Sequence, residues 1–305
     1  MGRSHNMSES TSSAPKETAG ILYATAAYSL WGFFPLYWHA LGSVPPLQIS
    51  MHRMFWCALF GIAICAVTRR FGGIRLALGN RKILAALTVS SILISVNWTL
   101  YIFAVADHHL VEASLGYYIN PLISIALGVV LLGEKLSRLR LAAIALATIA
   151  VVVQAYGLGH FPWIALGLAF SFGFYGYVRK LTPIAAFDGL TIEVIILFPL
   201  TAGAVLFWGV QGTGAFTPAH PFTDFLLVMA GPVTALPLTL FAAGARRVSM
   251  STLGFLQYLS PSITLTLAVV FLGEAFTPTD LATFGCIWLA LILVAVDGHM
   301  QRRAA

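Results

Sequence analysis

Ten apolar stretches, each long enough for a membrane-spanning helix, alternate with short polar segments along the chain. Their hydrophobic residues run on continuously, whereas the strands of a membrane barrel alternate and are about ten residues long. The pattern therefore predicts an all-α membrane protein with ten transmembrane helices. The stretches lie at 20–40, 47–68, 83–104, 111–132, 139–156, 161–179, 189–210, 223–243, 251–272 and 279–297.

Composition excludes a soluble protein. Hydrophobic residues make up 59% of the chain and charged residues only 9%, whereas a soluble domain carries about 25% charged residues. The three cysteines, Cys57, Cys65 and Cys286, all lie inside apolar stretches without metal-ligand spacing. No disulfide framework, metal site or other cofactor is therefore expected.

The basic residues predict the orientation in the membrane. Of the 17 lysines and arginines, all but Arg53 lie in alternate polar segments or at the termini. Under the positive-inside rule, both termini are cytoplasmic. Residues 1–19 should be a remnant of an expression tag followed by a disordered cytoplasmic N-terminus. No signal peptide is expected there. Residues 299–305 should form a cytoplasmic tail.

The fourth stretch has a second copy in the ninth. Pro121 matches Pro261, and Leu-Gly-Glu at 132–134 matches Leu-Gly-Glu at 272–274. The unit is five helices, repeat 1 at 20–156 and repeat 2 at 157–298. An odd number of spans inverts the second copy, and inverted repeats are typical of carriers that work by alternating access. The alternative is a non-transporting scaffold grown by gene duplication.

Several motifs give the chain a family resemblance. They are the two Leu-Gly-Glu endings, His52-Arg53, Asn97-Trp98, and the segments 108–117 and 165–171. Together they resemble the RarD-type branch of the EamA group in the drug/metabolite transporter superfamily, related to the YddG-type amino-acid exporters. The resemblance implies ten helices in two inverted five-helix repeats, a bacterial inner membrane, and export of amino acids or other small metabolites. The RarD name also leaves open a chloramphenicol-like drug permease or a multidrug exporter.

Two prolines and their polar neighbours indicate where the transported molecule binds. Pro121 and Pro261 each remove a backbone donor inside an apolar helix, so both helices are expected to bend there. Asn120 and Gln257 flank these positions and could bind a substrate or hydrogen-bond a neighbouring helix. A central carrier site is expected on such kinked helices.

Aromatic side chains are common in the middle of the predicted helices. An aromatic wall suits amphipathic molecules, because rings stack on apolar groups and attract ammonium groups; packing between helices is the alternative. The aromatic substrate-binding candidates, together with the amide of Asn97 beside Trp98, are Trp31, Asn97, Trp98, Tyr101, Tyr117, Tyr175 and Tyr258.

Few ionisable groups lie within the stretches, and each is a functional candidate because a buried charge is costly in lipid. Arg53 and Glu193 are expected too far apart in depth to pair. We expect Arg53 to pair with Glu112, and Glu193 to pair with Arg179 or Arg246. These pairs could be gates or static contacts, and His52 beside Arg53 should stay neutral.

The sequence carries no motif of a membrane enzyme, and an internally inverted chain favours a carrier over a channel. Without a carboxylate at mid-membrane depth, exchange or uniport is favoured over strict proton coupling. The expected partners are the lipid bilayer and a small molecule, most simply a neutral, hydrophobic or aromatic amino acid. No nucleic acid and no obligatory protein partner are expected.

Overall fold

The computed structural model describes residues 7–69, 71–106, 109–156, 160–271 and 278–304, and within these ranges it contains helices and no strand. The apolar stretches form helices because only internal hydrogen bonding satisfies the backbone in lipid. Twelve helices are described: α1 (Met7–Ala40), α2 (Pro46–Val67), α3 (Gly72–Gly79), α4 (Arg81–Ala106), α5 (Leu110–Leu132), α6 (Arg138–Tyr156), α7 (Trp163–Leu181), α8 (Ala186–Gln211), α9 (Pro221–Ala245), α10 (Met250–Gln257), α11 (Leu259–Phe271) and α12 (Pro278–Ala304).

Every predicted stretch lies on a helix, and α3 is an additional short helix between the second and third stretches. Within the described residues, eight segments are long and apolar enough to cross a membrane: α2, α4, α5, α6, α8, α9, the α10–α11 pair and α12. The chain is therefore a multi-pass membrane protein. The stretches on α1 and α7 are also helical but fall outside this set, so the total of ten spans stays a prediction.

The N-terminal segment differs from expectation. Helix α1 begins at Met7 and runs through the part of 7–19 that the sequence predicts to be disordered. Once the apolar part of α1 is helical, each further residue adds a hydrogen bond without a new nucleation cost. The predicted tag remnant at 1–6 lies outside the described residues.

Helix packing follows a paired arrangement. The main contacts are α5 with α7 and α10, α6 with α12, α2 with α8 and α9, α4 with α7 and α8, and α1 with α9 and α11. Exchanging each helix for its counterpart in the other predicted repeat converts the α1–α9 contact into α7–α4, and α2–α9 into α8–α4. It also converts α5–α7 into the contact between α1 and the α10–α11 pair. These helix pairs therefore meet in both directions of the exchange, although the α2–α9 contact is more extensive than the α4–α8 contact.

The crossing of α5 and α10 depends on a glycine. A Cβ atom at Gly254 would lie 2.6 Å from the carbonyl oxygen of Pro121, closer than real Cβ contacts allow. Only a residue without a side chain lets the two backbones approach this closely. This crossing joins the two stretches that the sequence identifies as copies of each other.

The Leu-Gly-Glu end of α5 has two distinct structural roles. Gly133 has a φ of +65° and ends the helix in the left-handed conformation, which glycine adopts without strain. Glu134 then turns to the start of α10, where its carboxylate accepts bonds from the backbone N–H groups of Met250 at 2.6 Å and Ser251 at 2.9 Å. The motif therefore joins two helices, as a helix-end role predicts. Its second copy at 272–274 lies outside the described residues.

The two prolines behave differently. Helix α5 runs unbroken through Pro121, so the bend expected there stays a prediction. In the second copy the helix is divided at Tyr258, and Pro261 lies in the first turn of α11. A proline is tolerated in a first turn because its missing N–H would have no partner in that helix.

Candidate functional site

Arg53, on α2, lies against two tryptophan rings rather than beside a carboxylate. Its guanidinium carbon is 4.0 Å from the ring centroid of Trp98 on α4 and 5.5 Å from that of Trp38 on α1. Its Nε atom is buried and has no hydrogen-bond partner. The electron-rich ring faces stabilise the cation, but they cannot replace the hydrogen bonds that Nε would make in water.

Two tyrosines complete this group. Tyr101 on α4 and Tyr117 on α5 have ring centroids 6.3 Å apart, and both are close enough to interact electrostatically with Arg53. Tyr117 keeps 48% of its surface accessible and Tyr101 37%. We call Trp38, Arg53, Trp98, Tyr101 and Tyr117 the Arg53 cluster.

The expected pair of Arg53 with Glu112 is not formed. The Oε1 atom of Glu112 accepts a bond of 2.7 Å from the backbone N–H of Ile164 at the start of α7. Its Oε2 atom lies 3.9 Å from Nδ1 of His109. The two charges share a predicted depth but face different helices, because Glu112 is held at the α5–α7 contact and Arg53 at the α2–α4 contact.

Glu193, on α8, selects one of its two expected partners. Its Oε1 atom lies 3.4 Å from Nε of Arg179, and both side chains are 1% exposed. Ser90 donates a bond of 2.5 Å to the same carboxylate and Tyr175 one of 3.3 Å. The alternative partner, Arg246, donates instead to the carbonyl of Ile184. As expected, Glu193 and Arg53 do not pair.

Three other candidates lie in helix contacts away from the Arg53 cluster. Trp31 and Tyr175 belong to an aromatic group with Tyr28, Phe172 and Phe241, with ring centroids 5.2–6.1 Å apart. The side-chain amide of Asn97 donates to the carbonyl of Leu168 at 2.9 Å and to Ser171 Oγ at 3.0 Å, which joins α4 to α7. In this structure these three side chains pack or bond between helices.

The candidates near the prolines are buried. Asn120 is 4% exposed, and its Oδ1 atom has no hydrogen-bond partner. Gln257 is 7% exposed, while Tyr258 is fully buried and donates to the carbonyl of Tyr118 at 3.1 Å. The sequence predicts these residues as substrate contacts beside the two prolines. The structure buries them near the crossing of α5 and α10 and does not bring them to Arg53.

His52 points away from Arg53. Its ring stacks on Phe216, in the segment between α8 and α9, with centroids 5.8 Å apart and planes inclined by 25°. Trp38, by contrast, was not among the predicted site residues. A tryptophan near the end of an apolar stretch is the usual sign of a residue at the membrane interface, so only its contact with Arg53 assigns it to the site.

Two apolar grooves open between helices but do not contain the Arg53 cluster. One, of about 450 Å³, is lined by Phe33, Trp288 and the α11 residues 262–267. The other, of about 330 Å³, lies between α4 and α8. Binding sites of small molecules combine apolar walls with a few convergent polar groups. Neither groove brings together charged groups, so the Arg53 cluster is the stronger candidate.

An ionisable residue inside a membrane-spanning bundle is a functional-site candidate by default, and Arg53 among its aromatic neighbours is such a residue. Comparisons with known proteins give the family. A model of the EamA-like transporter family matches residues 18–156. The protein RarD of Escherichia coli K12 is 40% identical over 96% of this chain and 99% of its own length. The uncharacterized transporter YojE of Bacillus subtilis is 42% identical over 94% of this chain and 96% of its own length.

The chain therefore belongs to the EamA-like transporter family, in the RarD-type branch of the drug/metabolite transporter superfamily. It is a multi-pass protein of the bacterial inner membrane. A chloramphenicol-sensitive protein RarD of Pseudomonas aeruginosa is 32% identical over 91% of this chain and 94% of its own length. A crystal structure of 18% identity superposes with a TM-score of 0.68 over 91% of this chain and 97% of that one, which shows the shared fold.

Proposed function

We propose that this transporter exports neutral amino acids with hydrophobic or aromatic side chains, by alternating access around the Arg53 cluster. The observation that carries the proposal is the buried, unpartnered Nε of Arg53, which lies beside two accessible tyrosines. In the proposed complex, Arg53 binds the substrate carboxylate, and Trp98, Tyr101 and Tyr117 contact its side chain. A charge-assisted bond from guanidinium to carboxylate is about twice as strong as a neutral one.

The charge of the cluster favours this class of substrate. In this structure Arg53 forms no ion pair with Glu112 or Glu193, so a bound carboxylate would compensate a charge that neither of these side chains neutralises. A cationic compound would instead meet a like charge, which acts against it. Aromatic faces add apolar contact without a fixed shape requirement. Together these features suit zwitterions with bulky apolar side chains.

The same proposal assigns the chain ten spans in two inverted five-helix repeats with both termini in the cytoplasm. The exchange of helix contacts between repeats supports it. So do the distribution of lysine and arginine and the odd number of helices per unit. Glu112 at the start of α5 and the Arg179–Glu193 pair are proposed as gating contacts towards the two faces. If these contacts are static, replacing the charged residues of either one with neutral residues of similar volume should leave transport unchanged.

Counterflow in proteoliposomes tests the function. Vesicles loaded with an unlabelled amino acid should transiently accumulate the same amino acid, added outside in labelled form. The initial rate of uptake should saturate as the outside concentration rises. Leucine, phenylalanine and tryptophan form the main panel; the esters of these amino acids lack the carboxylate and should not compete. A channel would show neither saturation nor counterflow.

Two variants test the site within the same assay. Arg53→Gln replaces the cation with a shorter neutral amide and should abolish counterflow of free amino acids. Arg138→Gln is the matched control, because Arg138 is exposed at the start of α6. Equal uptake by Arg53→Gln and the control would overturn the assignment of the carboxylate site.

A drug permease is the alternative function. The name of the Pseudomonas aeruginosa relative refers to chloramphenicol, and the aromatic walls would accept an uncharged amphiphile. The same vesicles distinguish the two. If chloramphenicol drives counterflow while no amino acid does, and Arg53→Gln does not affect it, the substrate is an uncharged drug.

A further inference from the structure

Three metal-binding side chains converge where α5 and α7 begin. His109 directly precedes α5, Glu112 lies in its first turn, and His160 precedes α7. One ligand atom from each residue lies within 4.8 Å of the other two. His109 and Glu112 are close in the sequence but His160 is far from both, so the three give no recognisable motif and were not expected from the sequence to be metal ligands.

The carboxylate of Glu112 is the most informative member. The side chain is 1% exposed. One oxygen accepts the N–H of Ile164, whereas the other, Oε2, is buried without any hydrogen-bond partner. This second oxygen lies 3.9 Å from Nδ1 of His109. Burying a carboxylate oxygen without a partner is costly, and a cation between the carboxylate and the imidazoles would remove that cost.

One contact of His160 indicates which of its ring nitrogens can bind a metal. Its Nδ1 lies 3.3 Å from the carbonyl oxygen of Phe161. Since a carbonyl only accepts, Nδ1 carries the proton in this contact, and the lone pair is on Nε2. Histidine ligands usually donate their other nitrogen to a carbonyl or carboxylate in this way. His160 is exposed, so an ion can reach it from solvent.

We propose that His109, Glu112 and His160 bind a divalent transition-metal ion, with zinc the best match. Two imidazole nitrogens and one carboxylate oxygen suit Zn²⁺ or Co²⁺, whereas Mg²⁺ and Ca²⁺ require oxygen ligands. Zinc bonds of about 2.0–2.2 Å in a tetrahedron need ligand atoms slightly closer together than they are here. Rotation of the exposed His160 ring supplies that adjustment, and water completes the coordination.

The proposed site connects the two halves of the chain. His109 and Glu112 belong to repeat 1 and His160 to repeat 2, and the helices that they begin, α5 and α7, pack against each other. A bound ion would fix the start of α5 to the start of α7. The site does not depend on which molecule is transported, and it extends beyond the proposed function.

Metal titration of the full-length protein tests the proposal. The protein, purified in detergent and stripped with a chelator, is titrated with Zn²⁺ in a calorimeter and with Co²⁺ in an absorption spectrometer. Wild type should bind one Zn²⁺ per chain, and Co²⁺ should give the intense visible bands of tetrahedral coordination. His160→Ala and His109→Ala should each weaken binding at least about tenfold, since even loss of a second-shell partner weakens binding 10–100-fold.

His39→Ala is the matched control. His39 is exposed near the end of α1, so its loss should leave the affinity unchanged. The melting temperature provides a second measurement, because an ion that binds only the folded state raises it. Zn²⁺ should raise it in wild type and His39→Ala but not in His160→Ala. Equal affinity in wild type, His109→Ala and His160→Ala would overturn the proposal, as would a loss of affinity in His39→Ala as large as that in His160→Ala.

Discussion

Gly189 on α8 is a position where a small change should have a large effect on stability. A Cβ atom added there would lie 2.1 Å from Nη1 of Arg179 and 2.8 Å from its Cζ. The guanidinium is 1% exposed and is held between Glu193, 3.4 Å from its Nε, and the carbonyl of Ala186, 2.8 Å from its Nη2. In Gly189→Ala the guanidinium therefore has to leave this position.

The expected size follows from what is lost. Removing one partner of a buried ion pair costs about 3–5 kcal/mol, because the other charge stays buried without compensation. Replacing glycine by alanine inside a helix returns about 1 kcal/mol. Gly189→Ala should therefore lower the free energy of unfolding by about 2–4 kcal/mol. The control is Gly203→Ala on the same helix, where a Cβ meets no atom within 4 Å, and stability should stay level or rise by up to about 1 kcal/mol.

Unfolding by SDS in mixed micelles, followed by tryptophan fluorescence, measures both variants. Repeating Gly189→Ala in an Arg179→Met background closes a double-mutant cycle. Without the guanidinium the added methyl group has no clash, so its cost should largely disappear. The reasoning is refuted if Gly189→Ala is as stable as Gly203→Ala, or if its cost is unchanged when Arg179 is absent.

Three further predictions concern other contacts. Glu134→Ala removes the carboxylate that caps α10 and should cost about 1–2 kcal/mol in the same SDS titration; a cost near zero would exclude the capping role. Asp297→Asn weakens the 2.9 Å ion pair that Arg140 forms between α6 and α12 and should cost about 1–2 kcal/mol. If Arg140→Met costs as much in the Asp297→Asn background as in wild type, the pair does not contribute. Trp98→Leu removes the ring 4.0 Å from Arg53; it should raise the half-saturating amino-acid concentration about 2- to 30-fold, the equivalent of a cation–π contact. An unchanged value would remove Trp98 from the site.

The helices were predictable because the hydrocarbon core imposes a length and a composition that are visible in any window of the sequence. The rotation of each helix was not. A helix that is apolar on every side carries no stripe to show which face meets which neighbour. For this reason depth alone suggested Arg53 with Glu112, whereas the structure places Arg53 against Trp98 and Glu112 against the start of α7. For Glu193 the sequence left Arg179 and Arg246 as alternatives; the structure shows Arg179, which lies near the same short connection between α7 and α8.

Interrupted helices show the same limit. The proline pair marks both copies, but only the second copy is divided, at Tyr258. There the side-chain hydroxyl of Ser262 donates to the carbonyl of Tyr258 at 2.9 Å, and its backbone N–H does so at 3.3 Å. When Pro121 is aligned with Pro261, the residue of the first copy that corresponds to Ser262 is Leu122. Leu122 has no hydroxyl to bond such a carbonyl, so the two copies differ locally although their patterns agree.

Helix α5 determines which motions are compatible with this packing. At its start Glu112 accepts from the backbone of α7, and at its end Glu134 accepts from the backbone of α10. Both acceptors belong to repeat 1 and both donors to repeat 2. Bonds from N–H groups to a carboxylate are charge-assisted and strong. If the Arg53 cluster opens to one face at a time, as proposed, either α7 and α10 move together with α5, or one carboxylate releases its helix while the other keeps its bond. Tyr117 lies on α5 between these two ends, so either motion would also move Tyr117. In that proposal, the carboxylate that releases its helix identifies the face that opens.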